Sequence, residues 1–176
     1  YSEQTQRFYG GEKHQDRAGD HDKGMYHALI EARIPFEMVH DQYLDAGHTE
    51  QFKLLVLPNI AALSDRQCQQ IRNYVMRGGS LLSTFETSLY NERGKKRVDF
   101  GLKDLFGVSF NGEVEGPMKN SYLRFAQENG QYQPLLKNME NTTRIINGVY
   151  RLGIQPNTEF PSPVTLIPSY PDLPME

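Results

Sequence analysis

The stretch Phe52-Lys-Leu-Leu-Val-Leu-Pro-Asn59, continued by Ile60-Ala-Ala-Leu-Ser64-Asp-Arg-Gln-Cys-Gln-Gln-Ile-Arg-Asn-Tyr-Val-Met-Arg-Gly-Gly79 and Ser80-Leu-Leu-Ser-Thr-Phe-Glu86, decides the fold. Lys53 to Leu57 is an apolar run stopped by Pro58-Asn59, the pattern of a strand covered on both faces. Ser64 followed three residues later by Gln67 is a capping box. The serine accepts from the Gln67 N–H while the glutamine side chain returns to the Ser64 N–H. Cys68, Ile71, Tyr74 and Val75 then form one helical stripe, and Arg77-Gly78-Gly79 supplies a basic last turn and a left-handed stop. Ser80 to Phe85 is a second apolar strand. Its end is where an α/β enzyme places its catalytic group, yet Phe85-Glu86-Thr87-Ser88 contains no cysteine and no Gly-x-Ser-x-Gly turn.

Working outward, Gly24 to Arg33 places Met25, Ala28, Leu29 and Ala32 at helical spacing behind Asp20 and Asp22, which favour a helix N-terminus. Ile34-Pro35 ends that helix. Phe36 to His40 alternates as a short strand, and Asp41 to Asp45 reads as a turn. Tyr1 to Thr5 resembles the exit of a strand, and Ser169 to Glu176 a proline-punctuated connection, so a segment of a longer polypeptide is expected. Tyr90 to Asp99 is polar and reads as a surface loop, Phe100 to Gly107 as a short helix, and Val108 to Phe110 as a strand. Beyond Asn111 short strands at Ser121–Phe125, Arg144–Leu152 and Val164–Ile167 are joined by Gly, Pro and Asn. The alternation predicts an α/β fold with a central, mainly parallel sheet over residues 1–110, and a β-rich extension of the same domain over 111–176.

Composition sets limits. The 176 residues, 38% hydrophobic and 23% charged, suit one globular domain, and a net charge of −3 offers no basis for binding nucleic acid or anionic membrane. No apolar run approaches the ~20 residues that span a bilayer. A lone cysteine excludes an internal disulfide and a cysteine-rich zinc site, and with no signal-peptide pattern it favours the cytoplasm.

The string from His40 to Gly94 resembles the middle domain of family 42 β-galactosidases, the β-galactosidase trimerisation domain, in a hypothetical glycoside hydrolase. The resemblance rests on the turn at His40-Asp41, the strand Phe52 to Asn59, the helix closed by Gly78-Gly79, and the strand entering Thr84-Phe85 with Glu92 beyond it. Asp104-Leu-Phe-Gly-Val108 adds to it. It covers residues 1–110 well and the remainder poorly. It implies a flavodoxin-like, class I glutamine-amidotransferase-like three-layer fold with an accessory role. Such a domain would help subunits form homotrimers beside a TIM-like catalytic barrel of the same polypeptide. A barrel needs ~200 residues or more and does not fit in this chain. A trimer of this kind would be cyclic, with a heterologous interface that closes. Where the family has a small Ser-Gly pair after the strand, this chain has Glu86-Thr87.

No residue pattern here calls for a cofactor or metal, and no catalytic residue is assigned. Cys68 lies mid-helix on the apolar stripe and reads as a core residue. Glu3, His40, Asn59, Glu86 and Ser88 all fall at predicted strand ends, where open α/β sheets collect ligands. They form the candidate pocket, for a divergent ligand- or carbohydrate-binding site or an enzyme site centred on Glu86. The plainer reading, which the sequence favours, makes Glu86 a solvated rim residue or the partner of an arginine such as Arg7 or Arg93. Ser88 reads as a turn residue, since nothing nearby supplies a base. His14, His21 and His27, among Asp16, Asp20 and Asp22, lack a compact ligand spacing and read as a solvated loop. Tyr9-Gly10-Gly11 reads as a turn, and Arg93 to Arg97 as an exposed loop or a subunit contact. The aromatics Phe110, Tyr122, Phe125, Tyr132, Tyr150, Phe160 and Tyr170 read mainly as packing, with a sugar-stacking surface as the alternative.

Overall fold

The computed structural model describes residues 1–9, 18–118, 121–125, 127–128, 131–132, 134–139, 141–157 and 162–167. The turn at Gly10-Gly11, the loop positions His14 and Asp16, the aromatics Phe160 and Tyr170 and the connection from Ser169 lie outside them. The chain divides into two compact units, Tyr1–Phe110 and Asn111–Glu176.

In the first unit, helices α1 (Glu3–Phe8), α2 (Asp20–Glu31) and α3 (Asp41–Asp45) precede strand β1 (Leu54–Leu57), helix α4 (Asp65–Met76), strand β2 (Ser80–Ser83) and helix α5 (Lys103–Phe106). Strands β1 and β2 pair in parallel, Leu54 opposite Ser80 through Leu57 opposite Ser83. A parallel bridge joins Ala62 to Tyr90 just beyond the strand ends.

The capping box forms as the sequence dictates. Ser64 Oγ accepts from the Gln67 N–H at 3.1 Å, and Gln67 Oε1 accepts from the Ser64 N–H at 2.9 Å. Helix α4 closes at Arg77, and Gly78 takes a φ of 97°. Gly79 must be glycine for a different reason, because a Cβ there would collide with the Tyr74 ring. That ring is clamped by its hydroxyl, which donates to the carbonyls of Phe52 at 3.1 Å and Ser80 at 3.3 Å. Cys68, Ile71 and Tyr74 pack with Leu44, Leu55, Leu57, Ile60, Leu63 and Leu102 in one core. Burial pushes the Cys68 thiol up to about 11, so it stays protonated and inert.

Several expectations need correction. Tyr1 to Thr5 is not a strand exit, because α1 starts at Glu3. Ser2 Oγ caps it by accepting from the Thr5 N–H at 3.1 Å, and Asp41 accepts from the Gln4 N–H at 3.2 Å. Among the described residues Phe36 to His40 joins no ladder, and Asp41 to Asp45 is helical rather than a turn. Strand β1 is covered on one face only, since Leu55 and Leu57 are buried while Leu54 is exposed. The sheets combine parallel pairing, of β1 with β2, and antiparallel pairing, of β4 with β7 and β9 and of β5 with β6. The loop after Tyr90 is not wholly exposed. Arg97 folds back, donating to the Leu63 carbonyl at 2.9 Å and pairing with Asp65 at 2.7 Å.

Strand β3 (Val108–Glu115) runs on into the second unit, where β4 (Tyr122–Phe125), β5 (Gln127–Glu128), β6 (Gln131–Tyr132), β7 (Arg144–Ile146), β8 (Arg151–Pro156) and β9 (Val164–Ile167) follow. β3 pairs with β8, while β4 lies between β7 and β9 and is antiparallel to both. β5 and β6 form an antiparallel pair. The expected strand from Arg144 to Leu152 is therefore two strands, separated at 147–150. The whole is a mixed α/β architecture with parallel and antiparallel sheets, consistent with a flavodoxin-like fold. Among the described residues no helix is long and apolar enough to cross a membrane.

Candidate functional site at the strand ends

Past the C-termini of β1 and β2 the backbone makes three bends that L-residues resist. Asn59, Phe85 and Ser88 have φ values of 53°, 52° and 65°. Left-handed non-glycine residues are uncommon and concentrate where the surrounding structure enforces them. Here the enforcement is visible. The Asn59 N–H donates to Thr84 Oγ1 at 3.0 Å, and Asn59 Oδ1 accepts from the Glu86 N–H at 3.1 Å. Thr87 Oγ1 donates to the Leu57 and Thr84 carbonyls, and the Ser88 N–H donates to the Ile60 carbonyl. The two strand ends are thus laced together by side chains before either chain turns away.

Glu86 sits inside this lacing at 6% exposure, which overturns the solvated-rim reading. Its carboxylate accepts hydrogen bonds from two phenols, Tyr9 on Oε2 and Tyr90 on Oε1, the latter at 3.2 Å. The two rings meet edge to face with centroids 5.4 Å apart. Both phenols are held protonated. Burial, then the hydrogen bond and charge of Glu86, drive the Tyr9 pKa far above its ordinary value. Asn59 pulls Tyr9 the other way, though its Nδ2 has no full hydrogen bond. Burial followed by the Glu86 charge pushes Tyr90 up to about 12. The cluster is a buried carboxyl group gripped by two neutral phenol donors.

The predicted residues separate into two groups. Asn59 and Glu86 meet as described. Glu3 and His40 pair with each other instead, His40 Nε2 standing 3.7 Å from Glu3 Oε1, with the His40 ring tilted against Tyr1. Glu3 opens α1 and Tyr9 caps its far end, so the groups stand at opposite ends of this helix, about 9 Å apart along its axis. Ser88 is fully buried, its Oγ accepting from the Leu102 N–H at 3.2 Å, and it belongs to the packing of the 100–102 turn. Arg93 is exposed and pairs with Glu92. His21 stacks on the Phe85 ring at 5.9 Å and His27 meets Tyr26 edge-on. Among the described residues no group of three His, Cys, Asp or Glu is placed to hold a metal.

Tyr9 and Tyr90 were missed from sequence. Tyr90 carried a usable signal, standing four residues after Glu86. Tyr9 carried none, because its partner is 77 residues away. Of the aromatics offered for sugar stacking, Phe125 is buried and Phe110 packs on Phe100, while Tyr150 is exposed.

No protein-family model and no curated protein matches the chain. Among solved structures it is similar to Gan42B, a GH42 β-galactosidase from G. stearothermophilus, at 14% identity and a TM-score of 0.63, over 92% of this chain and 21% of that one. A catalytic mutant of Gan42B aligns at 16% identity over 84% of this chain and 19% of its own, with a TM-score of 0.56. A β-galactosidase from Bifidobacterium adolescentis aligns at 19% identity over 74% of this chain and 61% of its own, with a TM-score of 0.53. At such identities the likeness is one of fold. The chain spans about a fifth of the length of Gan42B.

Proposed function

We propose that this chain is a non-catalytic accessory domain of a β-galactosidase-like glycoside hydrolase, an oligomerisation domain of the trimerisation type on a class I glutamine-amidotransferase-like scaffold. The observation that carries the proposal is Phe85. It occupies the left-handed bend after β2, the kind of turn with which α/β catalysts lift a nucleophile off the sheet. Its side chain is a phenyl ring with no atom to attack. The neighbouring Glu86 is sealed by Tyr9 and Tyr90, which suits a structural keystone. The fold likeness to GH42 β-galactosidases supports placing such a domain beside a TIM-like barrel that does the chemistry.

The test is sedimentation of the whole polypeptide that contains this chain, together with an assay of the chain alone on an aryl β-galactoside. A trimer, and no turnover by the isolated chain, are the expected results. A whole polypeptide that stays monomeric at micromolar concentration overturns the oligomerisation role.

A second reading is favoured by one observation, the crowding of three left-handed non-glycine residues around a buried carboxylate. Such strain often marks a ligand site. On that reading the Glu86 region binds a sugar or another small polar ligand. A galactose-dependent rise in melting temperature that disappears in Glu86→Gln would establish it in place of the keystone role.

A further inference from the structure

An asparagine followed by glycine is open to attack on its own side chain, because glycine puts no Cβ in the way of its amide nitrogen. The chain has three such pairs, and two of them, Asn111-Gly112 and Asn147-Gly148, lie among the described residues. As dipeptides they are equivalent. Their surroundings are not.

Asn147 is half-buried and pinned to a distant residue. Its N–H donates to the Ser121 carbonyl at 2.9 Å and its Nδ2 to Ser121 Oγ at 3.2 Å, and Ser121 is itself buried. Asn111 is exposed, at the point where β3 enters the second unit. Its side-chain hydrogen bonds are local. Oδ1 accepts from the Glu113 N–H at 2.9 Å, and Nδ2 donates to the Glu113 carboxylate at 3.3 Å. Gly112, between the two, takes a φ of 97° with nothing within 4 Å of where a Cβ would stand. The Asn111 amide lies across Gly153 of β8, in space that a Cβ on Gly153 would fill. The N–H on Oδ1 polarises the side-chain carbonyl and favours negative charge on its oxygen, as donors to an oxyanion do in acyl transfer. Asn111 thus has an activated carbonyl, an unobstructed neighbouring nitrogen and access to water.

We propose that Asn111 is a site of spontaneous covalent modification, cyclising onto Gly112 and ending as aspartate or isoaspartate, while Asn147 is spared. The Gly112 nitrogen loses its proton to water and attacks Asn111 Cγ, forming a C–N bond. The Cγ–Nδ2 bond breaks, and Nδ2 leaves as ammonia with a proton from water. Water then opens the cyclic imide at one carbonyl or the other. Nothing is oxidised or reduced, and water is the sole co-reactant. Either product sets a new carboxylate beside that of Glu113, where an amide donor stood. Isoaspartate also adds a carbon to the backbone, which puts the residues beyond it out of step with the alternation of the strand. Glu115 lies beyond that step and accepts from Arg151 Nε of β8 at 2.8 Å, so this link between β3 and β8 is the contact most exposed to the change. The site does not depend on the oligomerisation role.

The test is timed incubation of the chain in mildly alkaline buffer, folded and in concentrated urea. Peptide mapping by mass spectrometry follows the acid formed at each asparagine, and enzymatic methyl transfer counts isoaspartate. In the folded chain Asn111 is expected to convert roughly tenfold faster than Asn147, and in urea the two rates converge. Equal rates in the folded chain, or a faster Asn147, overturn the proposal. So does the same ratio in urea, which would make the preference a property of the neighbouring sequence alone. Gly112→Ala is expected to slow the Asn111 reaction roughly tenfold in urea, where folding of the variant does not matter, and to leave Asn147 as it was. An unchanged Asn111 rate in that variant rules out cyclisation onto residue 112.

Discussion

Helices α2 and α4 are both 12 residues long and lie in the same unit, yet α4 buries Gln67, Cys68, Ile71 and Tyr74 and α2 buries nothing. Their ends differ in the same sense. Ser64 and Gln67 close the N-terminus of α4 reciprocally, while Gly19 precedes α2 with no side-chain cap. The contrast shows where helical stability resides in this molecule. A helix of this length is marginal alone in water, so α4 owes its order to the core and its cap. Helix α2 has neither a buried residue nor a side-chain cap.

The largest effect that would break this comparison comes from deleting contacts on each side. Ile71→Ala is expected to lower the urea unfolding free energy by about 2–5 kcal/mol, because the residue is fully buried in the core. Leu29→Ala on α2 is expected to cost under about 1 kcal/mol. Equal losses would mean that both helices are packed alike. Next in size, Ser64→Ala removes the hydroxyl that accepts from the Gln67 N–H, leaving the backbone half of the capping box, and is expected to cost about 1 kcal/mol in the same titration.

A gain sharpens the comparison from the other side. Gly24 lies inside α2, and a Cβ there meets nothing within 4 Å. Gly24→Ala is expected to stabilise by about 0.5–1 kcal/mol through helix propensity, read as a rise in melting temperature.

The smallest effects are electrostatic and opposite in sign. The hydrogen bonds from Arg72 on α4 hold Asp104 below the usual carboxylate range, with distances of 2.8 Å. Its contribution is present above its unfolded pKa and is lost as pH falls through the folded one, so below about 4. Partial burial instead raises Asp22, in the first turn of α2. Its contribution is fully present below the unfolded pKa and is lost as pH rises through the folded value. Melting curves across acid pH should therefore show Asp104→Asn flattening the acid decline and destabilising at neutral pH. Asp22→Asn should stabilise at neutral pH.

How much of this was legible beforehand depends on the distance over which each feature is encoded. The capping box at Ser64-Gln67, the stripe through Ile71 and the stop at Gly78 are written within a turn or two of helix, and all three form. The nearness of Asn59 to Glu86 was also readable, because parallel strands of matched length bring their ends together. The helix at Glu3 to Phe8 was not. Its start is held partly by Asp41, from a different part of the chain, and without that partner the residues read as extended. Missing α1 meant missing Tyr9, and therefore the phenol that makes Glu86 a buried keystone rather than a rim carboxylate.

Sequence alone determined that residues 54–83 would be strand, capped helix and parallel strand, and that the segment 85–88 at the strand end would hold no cysteine and no Gly-x-Ser-x-Gly turn. Only the tertiary structure decided the environment of Glu86, the separation of Glu3 and His40 from it, and the left-handed bend at Phe85. The physical reason is range. Caps and periodicity act between residues three or four apart, whereas desolvation of a carboxylate depends on which distant segments arrive beside it.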